Sequence, residues 1–169
     1  MNFTDTVSNL SEPALHRLFS ACYPKSGLLV EWQYDTAKGM TERLLTKVIS
    51  VHLNGEGYSV ACSASRDKGP DIRATSSIKP GVIVEAKGEG SCPQMFNNYF
   101  NSAIGQITQR MIDPSVIYVI ALPWHKKYVR LIQQYSRYVR QKLSLEFWLV
   151  TPTEGLYDYH LGILRPDAE

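Results

Sequence analysis

Cysteine is scarce in this chain, and the three that occur, Cys22, Cys62 and Cys92, are odd in number, widely spaced and without any CxxC pairing. That pattern excludes a disulfide framework and a zinc ribbon, and leaves reduced, structural thiols. The histidines His16, His52, His125 and His160 also lack paired ligand spacing, and no Cys or His sits in a motif that identifies a nucleophile with its base. Long apolar runs are missing: none approaches the about 20 residues of a membrane span. The start, Met1-Asn2-Phe3-Thr4-Asp5, lacks the basic-then-apolar pattern of a secretory signal, so a cytoplasmic protein with no membrane partner is expected. An excess of one charge is absent too. The formal balance of +2 is too small to argue for nucleic acid from its total alone.

What is present is ordinary globular material. With 169 residues, 44% hydrophobic and 20% charged, the chain can bury a core of its own. No repeat, low-complexity tract or linker divides it, so one domain over residues 1–169 is expected. Ser11-Glu12-Pro13 before Ala14 predicts a capped helix to Cys22, and Leu28 to Tyr34 has strand character. A long helix follows from about Met40 to Leu53, with Asn54-Gly55 ending it. Tyr58 to Ser63 is the next strand. Beyond the centre come a helix from about Asn98 to Met111, an apolar strand from Val116 to Leu122, a basic helix, and a strand from Leu145 to Val150. The layout is mixed α/β around one central sheet.

The central segment carries the chemistry. Asp71 to Thr75 and Val82 to Lys87 flank a short polar turn, which predicts an antiparallel hairpin. Alternation places Ile83, Glu85 and Lys87 on one face and Val82, Val84 and Ala86 on the other. If Thr75 pairs with Gly81, Asp71 lies across from Glu85. Two facing carboxylates repel by roughly 0.2 to 1 kcal/mol, so this register asks for a cation. Mg²⁺ suits it, being held by one or two carboxylates plus substrate phosphate. Lys87 then orients water or offsets phosphate charge. A one-residue slip would move Asp71 to the other face. Upstream, Glu42 falls in the first turn of the long helix, on the margin of the stripe Leu44, Leu45, Val48, Ile49 and Leu53. The macrodipole alone also favours an acid there.

Charge is unevenly spread. From Trp124 to Lys142 the chain carries Lys126, Lys127, Arg130, Arg137, Arg140 and Lys142 with no Asp or Glu. Tyr128, Tyr135 and Tyr138 are interleaved, as in a segment that follows a phosphate backbone. The same residues also fit an amphipathic helix whose basic positions are its wet face, because Tyr128, Leu131, Ile132, Tyr135, Tyr138 and Val139 keep helical spacing. Both readings stand.

Glu42 in a helix, then Gly69-Pro70-Asp71-Ile72, then Val84-Glu85-Ala86-Lys87 resembles the PD-(D/E)XK, or restriction-endonuclease-like, nuclease superfamily. With Lys38-Gly39-Met40-Thr41-Glu42-Arg43 ahead of the helix, the string looks most like archaeal-type Holliday junction resolvases and Mrr-like nucleases. The likeness covers about residues 38–122. It implies an α/β fold with an αβββαβ core and a central mixed sheet flanked by helices; the N-terminal helix and strand extension and the C-terminal helix and strand lie outside that core. It further implies Mg²⁺, with Mn²⁺ able to substitute, bound by Asp71 and Glu85. Lys87 becomes the water-orienting or charge-stabilising residue, and Glu42 an auxiliary metal or water contact. Gln106 falls where relatives place a polar site residue; beside the resemblance, Lys38, Arg110, Lys126, Lys127 and Arg130 are candidates for site or DNA contact. The implied activity is hydrolysis of DNA phosphodiesters in repair, recombination or restriction, structure-selective or weakly sequence-specific. Cutting both strands of a duplex favours a homodimer. The alternative is a binding module on the same fold that does not cut.

Overall fold

Hydrophobic residues at i, i+3, i+4 and i+8 set the first helix of the core. Leu45, Val48, Ile49 and Leu53 are its buried stripe, which fits a surface helix laid on a sheet. The computed structural model describes residues 20–22, 39–63, 69–152 and 159–166. Its elements are β1 (Ser20–Cys22), α1 (Glu42–Gly55), β2 (Ser59–Cys62), β3 (Ile72–Thr75), β4 (Val82–Ala86) and α2 (Pro93–Gln109). They continue with β5 (Ile117–Pro123), α3 (Lys126–Gln133), α4 (Arg137–Leu143), β6 (Leu145–Pro152) and β7 (Tyr159–Leu164). The strands form one seven-stranded sheet in the order β1-β7-β6-β5-β4-β3-β2. β4, β5 and β6 are parallel, and the remaining pairs are antiparallel. The molecule is thus α/β with a mixed sheet flanked by helices.

Alternation along the strands splits the core in two. Val82, Val84 and Ala86 join Ile72, Ala74, Val119 and Trp148 under α1. Ile83, Tyr118, Ile120 and Phe147 face the other way, under Phe96 and Phe100 of α2 and Tyr128 and Ile132 of α3. With both faces covered, all five residues of β4 are buried, hence its almost unbroken apolar run.

Several expectations need correction. Ser20–Cys22, read as the end of a helix, form β1 beside β7, so sheet pairing overrides local helix signals there. Residues 14–19 of that helix and the strand at 28–34 lie outside the described residues. The helix expected from Asn98 begins at Pro93, whose fixed φ and missing N–H suit a first helical position; it stops at Gln109, before Met111. The basic helix is two, α3 and α4. Ser136 caps the second by accepting from the Val139 amide at 3.3 Å, while Tyr135 between them turns inward against Phe100 and Phe147. β7 was not anticipated. At the end of α1, Gly57 rather than Gly55 takes the left-handed φ of +85°, where glycine carries no Cβ penalty. Among the described residues no helix is long and apolar enough to cross a membrane.

Candidate metal and phosphate site

The hairpin has the expected register. Ile72 pairs with Val84, Arg73 with Ile83 and Ala74 with Val82, which continues to Thr75 opposite Gly81 and Asp71 opposite Glu85. Asp71 lies one residue before β3, and its Oδ2 accepts from the Ala86 amide at 2.7 Å. This bond fixes the carboxylate at the mouth of the hairpin. The Ser63 amide donates to the Asp71 carbonyl at 3.2 Å, tying the approach to Asp71 to the end of β2.

Glu85 is 1% exposed. Burial pushes its carboxyl up from the ordinary carboxylate range, and the charge of Asp71 pushes the same way. Arg110 opposes both, through a hydrogen bond and through its charge, and Lys87 adds a smaller opposing effect. The Arg110 Nε donates to Glu85 Oε1, and its Nη2 donates to the Gly69 carbonyl at 2.8 Å. One guanidinium therefore links the buried acid to the Gly69-Pro70-Asp71 approach. Gln106 lies one helical turn earlier, the spacing that puts side chains on one stripe. Its Oε1 is buried without a hydrogen-bond partner, which ordinarily costs about 1–3 kcal/mol.

Lys87 leaves the strand and turns towards α1. Its amide continues the ladder to the Ala121 carbonyl at 3.1 Å, and its Nζ lies 3.5 Å from Glu42 Oε2. The lysine side chain is 12% exposed and the glutamate 50%, so the pair reaches from the interior to solvent. Thr41 starts α1 beside it, its Oγ1 accepting from the Leu44 amide at 3.2 Å. Close approach explains the placement. A Cβ at Gly88 would lie 2.7 Å from the Glu42 nitrogen and 3.1 Å from the Met40 carbonyl oxygen.

The stretch after Lys87 is held firmly by backbone and side-chain hydrogen bonds. The Glu89 amide donates to the Met40 carbonyl at 2.8 Å, and Glu89 Oε2 accepts from the Met40 amide at 3.2 Å. Tyr128, fully buried, donates its hydroxyl to the Gly88 carbonyl at 2.7 Å, and burial pushes its phenol well above the usual range. Glu89 and Tyr128 are the positioning residues that the motif did not disclose. The Gly88-Glu89-Gly90 triplet was the available signal for the first; nothing local pointed to the second.

The structure thus brings Asp71 to Glu85, Arg110 to Glu85, and Lys87 to Glu42. Among the described residues no three His, Cys, Asp or Glu side chains gather into a metal-holding group, so Glu42 stands with Lys87 and not with the facing acids. Lys38 lies outside the described residues. Lys126 and Lys127 open α3, whose Tyr128 touches the Gly88 loop. Lys126 and Arg130 are exposed, and Lys127 Nζ sits 5.2 Å from the Phe96 ring centroid. His125 caps α3, its Nδ1 accepting from the Lys127 amide at 3.2 Å. Burial lowers its pKa, with Glu89 opposing and Lys127 and Lys126 reinforcing, which suits a neutral ring that accepts. Arg140 is set apart: it is buried and donates to the Arg165 carbonyl at 2.9 Å. Comparison with protein-family models, curated proteins and solved structures finds no match to this chain.

Proposed function

We propose that this chain is a Mg²⁺-dependent endonuclease on a restriction-endonuclease-like fold, hydrolysing DNA phosphodiesters with structure-selective or weak sequence preference. The observation that carries the reading is the pair of facing acids at the hairpin mouth, one of them buried, with Lys87 two residues on. The order α1-β2-β3-β4-α2-β5 supports it, being the αβββαβ sequence of that fold. The donor set suits a small hard cation. Two carboxylates, Asp71 and Glu85, supply oxygens. Mg²⁺ characteristically takes few protein ligands and keeps water for the rest.

Asp71 and Glu85 would hold the metal, whose chemistry when bound is Lewis-acid activation of water and neutralisation of phosphate charge. Hydrolysis adds water across one P–O bond: the water oxygen joins phosphorus, the sugar oxygen leaves with a proton, and a second proton is released. Lys87 holds its ammonium at the strand end, where it orients the attacking water or offsets charge growing on the phosphate. Glu42 fixes that ammonium through the ion pair on α1. Lys126 and Arg130 on α3 provide backbone contacts that carry no sequence information. Cutting both strands would be completed by a symmetric second copy.

The test is cleavage of linear duplex, single strand and four-way junction with Mg²⁺, Mn²⁺ or EDTA. Asp71→Ala and Lys87→Ala should each lower the metal-dependent rate by about 10²- to 10³-fold, the effect of removing one electrostatic stabiliser. A folded wild type that binds these DNAs without cutting any of them would make the chain a non-catalytic module.

A further inference from the structure

The Glu85 carboxylate already has a cation. Arg110 Nε donates to its Oε1, while Nη2 is anchored on the Gly69 carbonyl at 2.8 Å. Arg110 is the C-cap of α2, its amide held by the Ile107 carbonyl at 3.0 Å. The backbone is fixed, so only the side chain can move. Arg110 is also the more exposed partner, 21% against 1% for Glu85. A guanidinium and a divalent ion on one buried carboxylate would repel each other strongly at low dielectric.

We propose that Arg110 is a tethered competitor for the site's divalent cation, so that metal loads onto Glu85 only as the guanidinium leaves it. This rests on the metal-nuclease reading above. The departing group has somewhere to go. Gln106 Oε1 is buried, lacks a donor and lies four residues back on the same helix, within the ordinary i,i+4 reach of side chains. A phosphate entering the site offers the same guanidinium a charged, bidentate partner. Arg110 is therefore a device that keeps the buried acid neutralised until metal arrives, and then supplies a free cation beside it.

The competition is read without any cleavage assay, by Mn²⁺ titration and by thermal unfolding in Mn²⁺ or EDTA. The proteins are wild type, Arg110→Met, Lys87→Met and the double variant Glu85→Gln with Arg110→Met. Arg110→Met is expected to bind Mn²⁺ about tenfold more tightly than wild type, with a correspondingly larger Mn²⁺-induced rise in Tm. Lys87→Met removes the same charge from the same region but not from Glu85, so its gain should be clearly smaller. The double variant should show neither effect. If Arg110→Met does not fold in EDTA, Arg110→Gln, which keeps an amide to hydrogen-bond Glu85, carries the same comparison. Equal affinity in wild type and the Arg110 variants overturns the competition while leaving the metal site standing. Equal gains in Arg110→Met and Lys87→Met overturn it as well, by reducing the effect to the general field. Absence of Glu85-dependent Mn²⁺ binding in every protein overturns both the competition and the metal reading.

Discussion

The position of Lys87 depends on a residue with no side chain. Gly88 follows it, and the first turn of α1 passes so close that a Cβ there would sit 2.7 Å from the Glu42 nitrogen. That neighbour is backbone, so it cannot rotate away as a side chain would. Gly88→Ala should push α1 off the end of β4, destabilise the fold by ~1–3 kcal/mol as overpacking does, and lengthen the 3.5 Å Lys87–Glu42 pair. A denaturant midpoint unchanged from wild type would refute this account of how the pair is positioned. Tyr128 acts on the same peptide from the opposite side, its hydroxyl holding the Gly88 carbonyl. The lysine is thereby fixed between two helices on opposite faces of the sheet. Motif spacing disclosed the facing of Asp71 and Glu85, which follows from strand alternation and a short turn. Lys87, expected on the face of Glu85, instead leaves the strand and pairs with Glu42 on α1, the helix over the face of Val82, Val84 and Ala86. Spacing disclosed neither Arg110 as the partner of Glu85 nor Tyr128 as the anchor of Gly88. Those pairs are 25 and 40 residues apart, and packing of separate helices on the sheet sets them.

Among the elements, α1 carries a titratable group away from the site. His52, in its last turn, sets its ring edge-on to Trp148 of β6 with centroids 5.6 Å apart. Burial lowers its pKa from 6.5, and the charge of Glu56 only partly opposes this. Below about pH 6.5 the unfolded chain binds a proton that the folded chain resists, so stability rises with pH across that window. The stabilising contribution is present above pH 6.5 and is lost as pH falls from there through the depressed folded value. Urea unfolding at a series of pH values should show wild type losing more stability on acidification than His52→Gln; parallel curves would rule this out. The same scale explains what could be read in advance. The stripe of α1 and the β3–β4 hairpin were legible because their periods, near 3.6 and 2, are written in contiguous residues. The break between α3 and α4 was hidden, because Leu131, Ile132, Tyr135 and Val139 keep helical spacing across it while Ser136 starts a new helix. β1 and β7 were hidden for another reason. They define each other as neighbours across the sheet, and Ser20–Cys22 has no strand signature without Leu161–Ile163 beside it.

At the scale of the whole molecule, the candidate site lies at the carboxyl end of the parallel strand β4, where Glu85 is the last residue but one, the usual end for ligands in open α/β sheets. α3 starts from the end of β5, so its basic first turn lies next to the Gly88 loop by connectivity, with no acid in that turn to cancel the helix dipole. The basic stretch, which looked uniform in sequence, divides by burial. Lys126 and Arg130 are exposed, whereas Arg140 is 5% exposed and spends a hydrogen bond on the Arg165 carbonyl. If DNA crosses this end of the sheet, the first two are phosphate ligands and the third is part of the fold. Replacing Lys126 and Arg130 together by Gln should flatten the dependence of log affinity on log salt by about 1.8, at roughly 0.9 for each phosphate that is no longer neutralised. Cleavage at low salt should survive, since neither residue touches the acids. Arg140→Gln should do the opposite, lowering the unfolding midpoint through the carbonyl it leaves unpaired while the salt slope stays that of wild type. Duplex binding measured across a salt series, beside thermal unfolding of the same proteins, separates the two roles. An unchanged slope in the Lys126 and Arg130 double variant would mean that DNA approaches from another face, and that the charge on α3 is only its solvated side.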